Sequence, residues 1–123
     1  MLILILMKVM NNYIYHHKIE SWGSSVLIME NTGKAFGRIY WYNDDNITVY
    51  LDCLSVDPKF RQRGIGTELQ ELRENIGKKM GAKFSCLWVK KDSWMHEWYM
   101  CRGYNDWKKH EDDDFIWMQK ILN

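Results

Sequence analysis

The first half of the chain alternates between short apolar runs and clusters of turn residues, a pattern that predicts strands joined by hairpins. The apolar runs cover residues 2–9, 25–30, 35–42 and 47–56. Asn31-Thr32-Gly33 and Asn43-Asp44-Asp45-Asn46 supply turn residues between successive runs. Residues 11–21 are polar and aromatic with no clear period, so we expect irregular chain or a short helix there.

From Gly64 onward the spacing of apolar residues changes to that of a helix. One apolar stripe recurs at steps of three and four residues and comprises Ile65, Leu69, Leu72, Ile76 and Met80. The stripe predicts a helix that begins after Gly64 and is ended by Gly81 as a C-terminal cap.

After this helix the pattern predicts a strand, a second helix and two closing strands. Residues 82–89 predict a buried strand, and Asp92 or Ser93 is a suitable N-cap for a helix that reaches Gly103. Residues 104–108 and 115–122 predict the last two strands. The order ββββ-α-β-α-ββ predicts an α/β fold of the α+β layered kind, in which helices cover a mixed sheet.

Composition narrows the classes of function. The 123 residues contain no internal repeat or linker, so we expect a single domain over residues 1–123. The chain carries 17 basic and 16 acidic residues, and this balance gives no overall attraction for nucleic acid or anionic lipid. A small nucleic-acid-binding domain that uses Lys59, Arg61 and Arg63 is a rival interpretation, but the balanced charge argues against it. We therefore expect neither a nucleic-acid nor a membrane partner.

The cysteines and the N-terminal segment indicate a cytoplasmic protein. Cys53, Cys86 and Cys101 are an odd number at spacings that fit neither a disulfide framework nor a zinc knuckle, as expected in a reducing compartment. The apolar residues 1–7 are far fewer than the about 20 residues that a membrane span needs. His16-His17 has no third ligand at useful spacing, so we expect no metal site.

Residues 54–67 carry the clearest chemical signal, because they run from a strand through a Pro turn into a helix. Unsatisfied amides and the dipole at a helix start favour a phosphate. Gly64 and Gly66 leave those amides uncovered, and Arg61 and Arg63 can pair with phosphate oxygens. The segment lacks the third glycine of a dinucleotide fingerprint and is not a P-loop. An exposed basic turn before an amphipathic helix is the alternative interpretation.

Two short motifs, one in this segment and one at the end of the second helix, point to a known family. Arg61-x-x-Gly64-x-Gly66 resembles the Q/R-x-x-G-x-G/A signature of the GNAT superfamily of acyl-CoA-dependent N-acetyltransferases. Trp98-Tyr99-Met100-Cys101-Arg102-Gly103-Tyr104 resembles the family's Y-x-x-x-G-F helix ending. The resemblance covers about residues 24–122. It implies a mostly antiparallel sheet of about six or seven strands with helices on both faces, and an abbreviated N-terminal helical region.

The resemblance also implies acetyl-CoA as co-substrate and assigns residues to its binding. The implied cofactor-binding residues are Leu54, Ser55, Val56, Arg61, Gln62, Arg63, Gly64, Ile65, Gly66, Thr67 and Asp92. Amides between Arg63 and Thr67 would hold the pyrophosphate, and the main chain at Leu54 and Val56 would bind the pantetheine arm. An N–H near Leu54 or Ser55 would polarise the thioester carbonyl. For Asp92, contact with the cofactor arm and a mere helix cap are both open.

The same resemblance implies two catalytic residues. Asp52, the carboxylate within its strand, stands where many members carry glutamate, and its shorter side chain favours a water-relayed base. Strict alternation would place Asp52 on one face with Leu54 and Val56, and a purely structural ion pair is its alternative role. Tyr99 stands where the family often has the acid that protonates the departing thiolate. Simple core packing is the alternative for Tyr99.

These observations predict an N-acetyltransferase that moves the acetyl group of acetyl-CoA to a primary amine of a small molecule or peptide. The predicted mechanism is direct attack in a ternary complex. A non-catalytic acyl-CoA-binding module is the alternative. The acidic run at residues 111–114 suggests a cationic acceptor, although such a run is more often a solvated turn. The sequence leaves the choice between a monomer and a homodimer open.

Overall fold

The computed structural model describes residues 12–123. Strands come first along the chain, and helices and strands follow them. The strands are β1 (Tyr13–Ile19), β2 (Gly23–Glu30), β3 (Ala35–Tyr42), β4 (Thr48–Val56), β5 (Phe84–Lys90), β6 (Asn105–Lys109) and β7 (Phe115–Ile121). The helices are α1 (Ile65–Lys79) and α2 (Trp94–Met100), and a 3-10 turn covers Pro58–Phe60.

All seven strands belong to one sheet in the order β1-β2-β3-β4-β5-β7-β6. Strands β4 and β5 pair in parallel, and every other neighbouring pair is antiparallel. The predicted mixed, mostly antiparallel sheet is therefore confirmed. The predicted strand at residues 2–9 lies outside the described residues, and the single domain over the whole chain stays a prediction.

Strand β1 replaces the irregular chain or short helix predicted for residues 11–21, so that prediction is wrong. Tyr13 and Tyr15 are buried while Ile14 and His16 between and after them are exposed, which is the alternation of a strand. Polar side chains on both faces of β1, the first strand in the sheet of the described residues, hide the period in the sequence. Its pairing with β2 runs unbroken from Tyr13 to Ile19.

Both helices lie on one face of the sheet. In α1, a Cβ added at Gly77 would stand 3.0 Å from Val49 Cγ2, so glycine allows this close approach to β4. Val49 pairs with Ser85, whose hydroxyl lies 2.8 Å from that of Tyr104. The Tyr104 ring in turn contacts Tyr99 of α2 at 5.4 Å between centroids. Helix α2 therefore shares the face of α1.

The sheet and its helices have the predicted fold, but both described helices lie on one face of the sheet instead of on both. The physical reason is the connection between the first two strands. Residues 20–22 form a tight turn closed by a hydrogen bond from the Glu20 amide to the Gly23 carbonyl at 2.8 Å. No chain is left at this point to cross to the other face. Residues 12–56 form strands and turns.

A buried polar cluster joins α1 to the sheet. The fully buried Arg73 guanidinium donates hydrogen bonds to the backbone carbonyls of Arg38 and Asp52, at 3.3 and 3.2 Å. The Tyr104 hydroxyl donates to Glu74 at 3.0 Å and accepts from Gln70 at 3.0 Å. Buried polar groups are stable only when they are paired, so the cluster fixes how α1 sits on the strands.

Replacing Tyr104 with Phe should lower the free energy of unfolding by about 1–3 kcal/mol, because Ser85 and Glu74 lose a buried partner. Urea unfolding followed by fluorescence measures the loss. Tyr42→Phe is the matched control, since the Tyr42 ring is 40% exposed. Equal stability of the two variants would contradict the role of the buried cluster.

Candidate functional site

A β-bulge interrupts β4 in the middle of the predicted site. Arg38 pairs with Asp52 and Phe36 pairs with Ser55, so Gly37 alone faces the two residues between them. The extra residue is accommodated at Cys53, whose φ is 55°. A backbone conformation of this kind is uncommon for any residue other than glycine.

The bulge changes which side chains share a face, and it corrects the prediction from strict alternation. Asp52 and Ser55 oppose Arg38 and Phe36, which are two residues apart in β3 and therefore point the same way. Val56 points to the opposite side, where its Cγ2 lies 3.8 Å from a Cβ built at Gly66. The predicted common face of Asp52 and Val56 is thus wrong, because one inserted residue reverses the alternation.

Strands β4 and β5 separate just before the bulge. Their pairing covers Thr48↔Phe84, Val49↔Ser85 and Tyr50↔Cys86, whereas β4 continues to Val56 and β5 to Lys90. Residues 51–56 therefore have no strand partner on this edge. An extended ligand can pair with such a free edge as an added strand would.

The loop that follows β4 ends at an uncapped helix start. Gly64 is the N-cap of α1 with φ of 78°, and no side chain caps it. Asp57 holds the loop shape by accepting a hydrogen bond from the Lys59 amide at 3.0 Å. The first amides of α1 are thus unoccupied by side-chain caps among the described residues, as an anion site requires.

A cavity of about 790 Å³ lies between this helix start and α2. The predicted cofactor residues that line it are Leu54, Ser55, Val56, Arg61, Gln62, Gly64, Ile65, Gly66 and Thr67. Arg63 and Asp92 are not among its lining residues. The Arg63 guanidinium lies 5.0 Å from the Phe60 ring, and the Asp92 amide donates to His96 Nδ1 at 3.0 Å. Ser93, not Asp92, caps α2.

The opposite wall of this cavity, called the groove below, consists of residues that were not among the predicted site residues. Trp94, Met95 and Trp98 of α2 line it, and the Trp94 and Trp98 rings stack at 6.3 Å between centroids. Arg102 lies 3.6 Å over the Trp98 ring and donates to Thr67 Oγ1 at 2.9 Å. Trp98 and Arg102 are four residues apart, a spacing at which helical side chains contact each other. This spacing is the sequence signal that could have indicated a cation near the start of α1.

Arg61 does not extend toward the amides at the helix start. Its Nε donates to the Val56 carbonyl at 3.1 Å, so the guanidinium folds back on the end of β4. The charge therefore sits where the predicted pantetheine and pyrophosphate positions meet.

A second cavity of about 320 Å³ adjoins the groove through Leu54 and Met95, which line both. Asp52 and Tyr99 line this second cavity, so the structure brings the two predicted catalytic residues together. Cys53 lines it as well. Their common position is the gap where β4 and β5 separate.

Both predicted catalytic residues are held by cations. Arg38 Nε and Nη2 donate to the two Asp52 carboxylate oxygens at 2.8 and 2.5 Å. The hydrogen bond and charge of Asp52 raise the pKa of Arg38, so the guanidinium stays charged. The buried Tyr99 hydroxyl accepts from Arg73 Nη2 at 3.2 Å. Each functional group therefore has a fixed orientation.

Burial, followed by the neighbouring Asp52 charge, raises the pKa of the Cys53 thiol. The thiol is thus neutral at physiological pH and a poor nucleophile.

No group of three or more His, Cys, Asp or Glu side chains in residues 12–123 is placed to hold a metal ion. Within the same residues, neither helix has the length and apolar character to span a bilayer.

Comparisons with known proteins agree with this geometry. A sequence model described as the acetyltransferase (GNAT) family matches residues 7–104, more than half of the chain. No curated protein matches the sequence.

Solved structures share the fold. The GNAT family acetyltransferase from Elizabethkingia anophelis with acetyl-CoA bound is 16% identical, with a TM-score of 0.64 over 92% of this chain and 100% of that one. The PaiA N-acetyltransferase from Thermoplasma acidophilum in complex with coenzyme A is 20% identical, with a TM-score of 0.64 over 79% and 59%. The N-acetylglutamate synthase from Neisseria gonorrhoeae, complexed with coenzyme A and N-acetylglutamate, is 12% identical, with a TM-score of 0.66 over 80% and 26%.

Replacing Gly64 with Ala should weaken acetyl-CoA binding by about tenfold, because a left-handed φ costs an L-residue about 1–2 kcal/mol and the loop must shift. Isothermal titration calorimetry measures the dissociation constant. Gly81→Ala is the matched control. Gly81 has φ of 85° and, like Gly64, nothing within 4 Å of an added Cβ, but it follows the other end of α1. Equal affinities of the two variants would contradict the assignment of this helix start.

Proposed function

The chain belongs to the GNAT acetyltransferase family and is an acyltransferase, and we propose that it transfers acetyl from acetyl-CoA to a primary amine of a small molecule or peptide. The observation that carries this proposal is that the two cavities adjoin, since Leu54 and Met95 line both of them. An uncapped helix start lies in the groove, and Asp52 and Tyr99 lie in the cavity that adjoins it.

Acetyl-CoA binding follows the groove in this proposal. The diphosphate accepts hydrogen bonds from the first amides of α1, and Arg61 and Arg102 supply positive charge nearby. The pantetheine arm pairs with the free edge of β4 at residues 54–56. This route brings the thioester to the bulge, where an amide near Leu54 or Ser55 polarises its carbonyl.

Transfer then requires a neutral amine, since an ammonium has no lone pair. Asp52, acting through a water molecule, accepts the proton that the amine loses. The amine nitrogen forms a bond to the carbonyl carbon, and collapse of the tetrahedral intermediate breaks the carbon–sulfur bond. Tyr99 donates its hydroxyl proton to the departing thiolate, and the neighbouring Arg73 cation stabilises the phenolate that forms.

Direct attack is favoured over an acetyl-enzyme intermediate. Cys53 is the cysteine that lines the second cavity, and its raised pKa leaves it protonated at neutral pH. A ternary complex of protein, acetyl-CoA and amine needs no protein nucleophile.

One observation favours the alternative, a non-catalytic acyl-CoA-binding module. Both oxygens of Asp52 are already engaged by Arg38. An ion pair of this kind is also what a purely structural carboxylate would form. Each oxygen keeps a further lone pair, however, so the pair does not prevent Asp52 from accepting a proton from water.

We place the protein in the cytoplasm. All three cysteines are unpaired, and Cys53 and Cys101 are exposed, which suits a reducing compartment.

The proposed function predicts acetyl-CoA binding by calorimetry and release of free thiol when an acceptor amine is added. Tyr99→Phe and Asp52→Asn should each lower kcat by about 100-fold or more while acetyl-CoA affinity changes little, because both act on proton transfer. Tyr104→Phe is the control for damage to the fold, since Tyr104 is a buried tyrosine outside both cavities. Tight binding without thiol release for any amine would establish the non-catalytic alternative.

Replacing Cys53 with Ala should keep kcat within about threefold, because a protonated thiol takes no part in direct attack. Steady-state thiol release checks this value. Mass spectrometry of the wild-type protein after incubation with acetyl-CoA should show no acetylated Cys53. An inactive Cys53→Ala protein together with a trapped acetyl adduct would point to an acetyl-enzyme route instead.

A further inference from the structure

The second cavity is apolar over most of its wall. Its aliphatic and thioether lining residues are Leu51, Leu54, Leu87, Val89 and Met95. Among the described residues that line the cavity, Asp52 carries the carboxylate and Lys90 carries a side-chain ammonium. An acceptor bound here has one carboxylate to meet its amine and an apolar surface for the rest of the molecule.

Aromatic rings form one side of this cavity. Trp88 of β5 and Phe115 of β7 both line it, with their centroids 5.1 Å apart and their planes at 90°. His110 contacts both rings, at 5.1 and 5.7 Å. Trp88 nevertheless remains 46% exposed, so much of its indole surface is not covered by protein. A flat apolar surface therefore borders the cavity that contains Asp52.

We infer that the acceptor is a primary amine joined by a short linker to an aromatic ring. The ring packs on Trp88 and Phe115, while the amine lies beside Asp52 and faces the thioester. This inference rests on the proposed acetyl transfer and names its acceptor class.

The size of the cavity agrees with such an acceptor. An apolar cavity of about 150 Å³ is sufficient for a benzene ring. The second cavity has about 320 Å³, which leaves room for a short linker and the acetyl group as well. Ring–ring contacts stabilise a complex beyond the area that they bury, and they favour the offset or edge arrangements that Trp88 and Phe115 already show.

The distribution of charge disfavours a polyamine. A second ammonium would need a second carboxylate, and the acidic residues 111–114 do not line the cavity. Asp113 pairs with Lys109 at 3.5 Å, and both side chains are about 80% exposed, so this pair belongs to the solvated surface. Asp112 accepts a hydrogen bond from the Asp114 amide at 3.0 Å within the loop.

The central comparison is between two acceptor amines that differ only in the aromatic ring. Thiol release from acetyl-CoA is measured with phenethylamine and ethylamine, which share a linker, and with spermidine and glutamate. We expect kcat/KM for phenethylamine to exceed that for ethylamine by at least about tenfold. Trp88→Ala should remove most of this preference by raising KM for phenethylamine, and Trp88→Phe should retain much of it.

Trp107→Ala is the matched control, because Trp107 is 40% exposed on β6 and lines neither cavity. This variant should keep the wild-type preference, and melting temperatures should show that all three variants are folded. Equal use of ethylamine or spermidine, or a preference that Trp88→Ala leaves intact, would overturn the aromatic acceptor while acetyl transfer itself stands. Acetyl-CoA binding without thiol release for any amine would instead overturn the proposed function.

Discussion

The bulge at residues 53 and 54 of β4 is the constraint on which the site depends. Arg73 holds it from the helical side, because its guanidinium bonds the carbonyls of Arg38 and Asp52 on the two strands that the bulge joins. Gly37 leaves the necessary room, since a Cβ there would stand 3.2 Å from Arg73 Nε. The bulge reverses the direction of the following side chains, so Asp52 and Val56 end on opposite faces. One inserted residue thereby separates Asp52, the proposed base, from Val56, which lines the proposed cofactor groove, while keeping the two adjacent.

Burying Arg73 carries an energetic cost that packing alone does not explain. Its described hydrogen-bond partners are two backbone carbonyls, the Gln70 amide oxygen and the Tyr99 hydroxyl, and none of them is charged. Its Nε has no partner among the described residues. An uncompensated buried cation costs several kcal/mol, and apolar residues of similar volume often replace buried ions without loss. The cation is best explained by what it holds: it fixes the bulge and the Tyr99 hydroxyl relative to each other, although they come from different elements.

The proposed cofactor groove could be predicted from the sequence because single residues determine the main-chain geometry there. Gly64 and Gly66 were predicted to leave the helix-start amides uncovered, and both line the groove, Gly64 with a left-handed φ of 78°. Prediction from the sequence fails where the local structure depends on contacts with other parts of the chain. Strand β1 was missed because its polar residues obscure alternation. The faces on which the β4 side chains lie were predicted wrongly, because no residue type at Cys53 indicates a bulge. The position of both described helices on one face differs from what the resemblance implies, because the tight turn at residues 20–22 leaves no room for a helix between β1 and β2.

The proposed acceptor site is the part of the molecule that the sequence predicts least well, for a physical reason. In the proposed function, consecutive amides bind the diphosphate. A few adjacent positions around Gly64 are therefore sufficient to predict this site. The second cavity instead collects side chains from separate elements: Asp52 from β4, Trp88 from β5, Tyr99 from α2 and Phe115 from β7. Their proximity follows from the parallel pairing of β4 with β5 and its early end at Tyr50. Under the proposed function, chains with the same glycines would share the cofactor groove, while the residues at positions such as 88 and 115 would distinguish their acceptors.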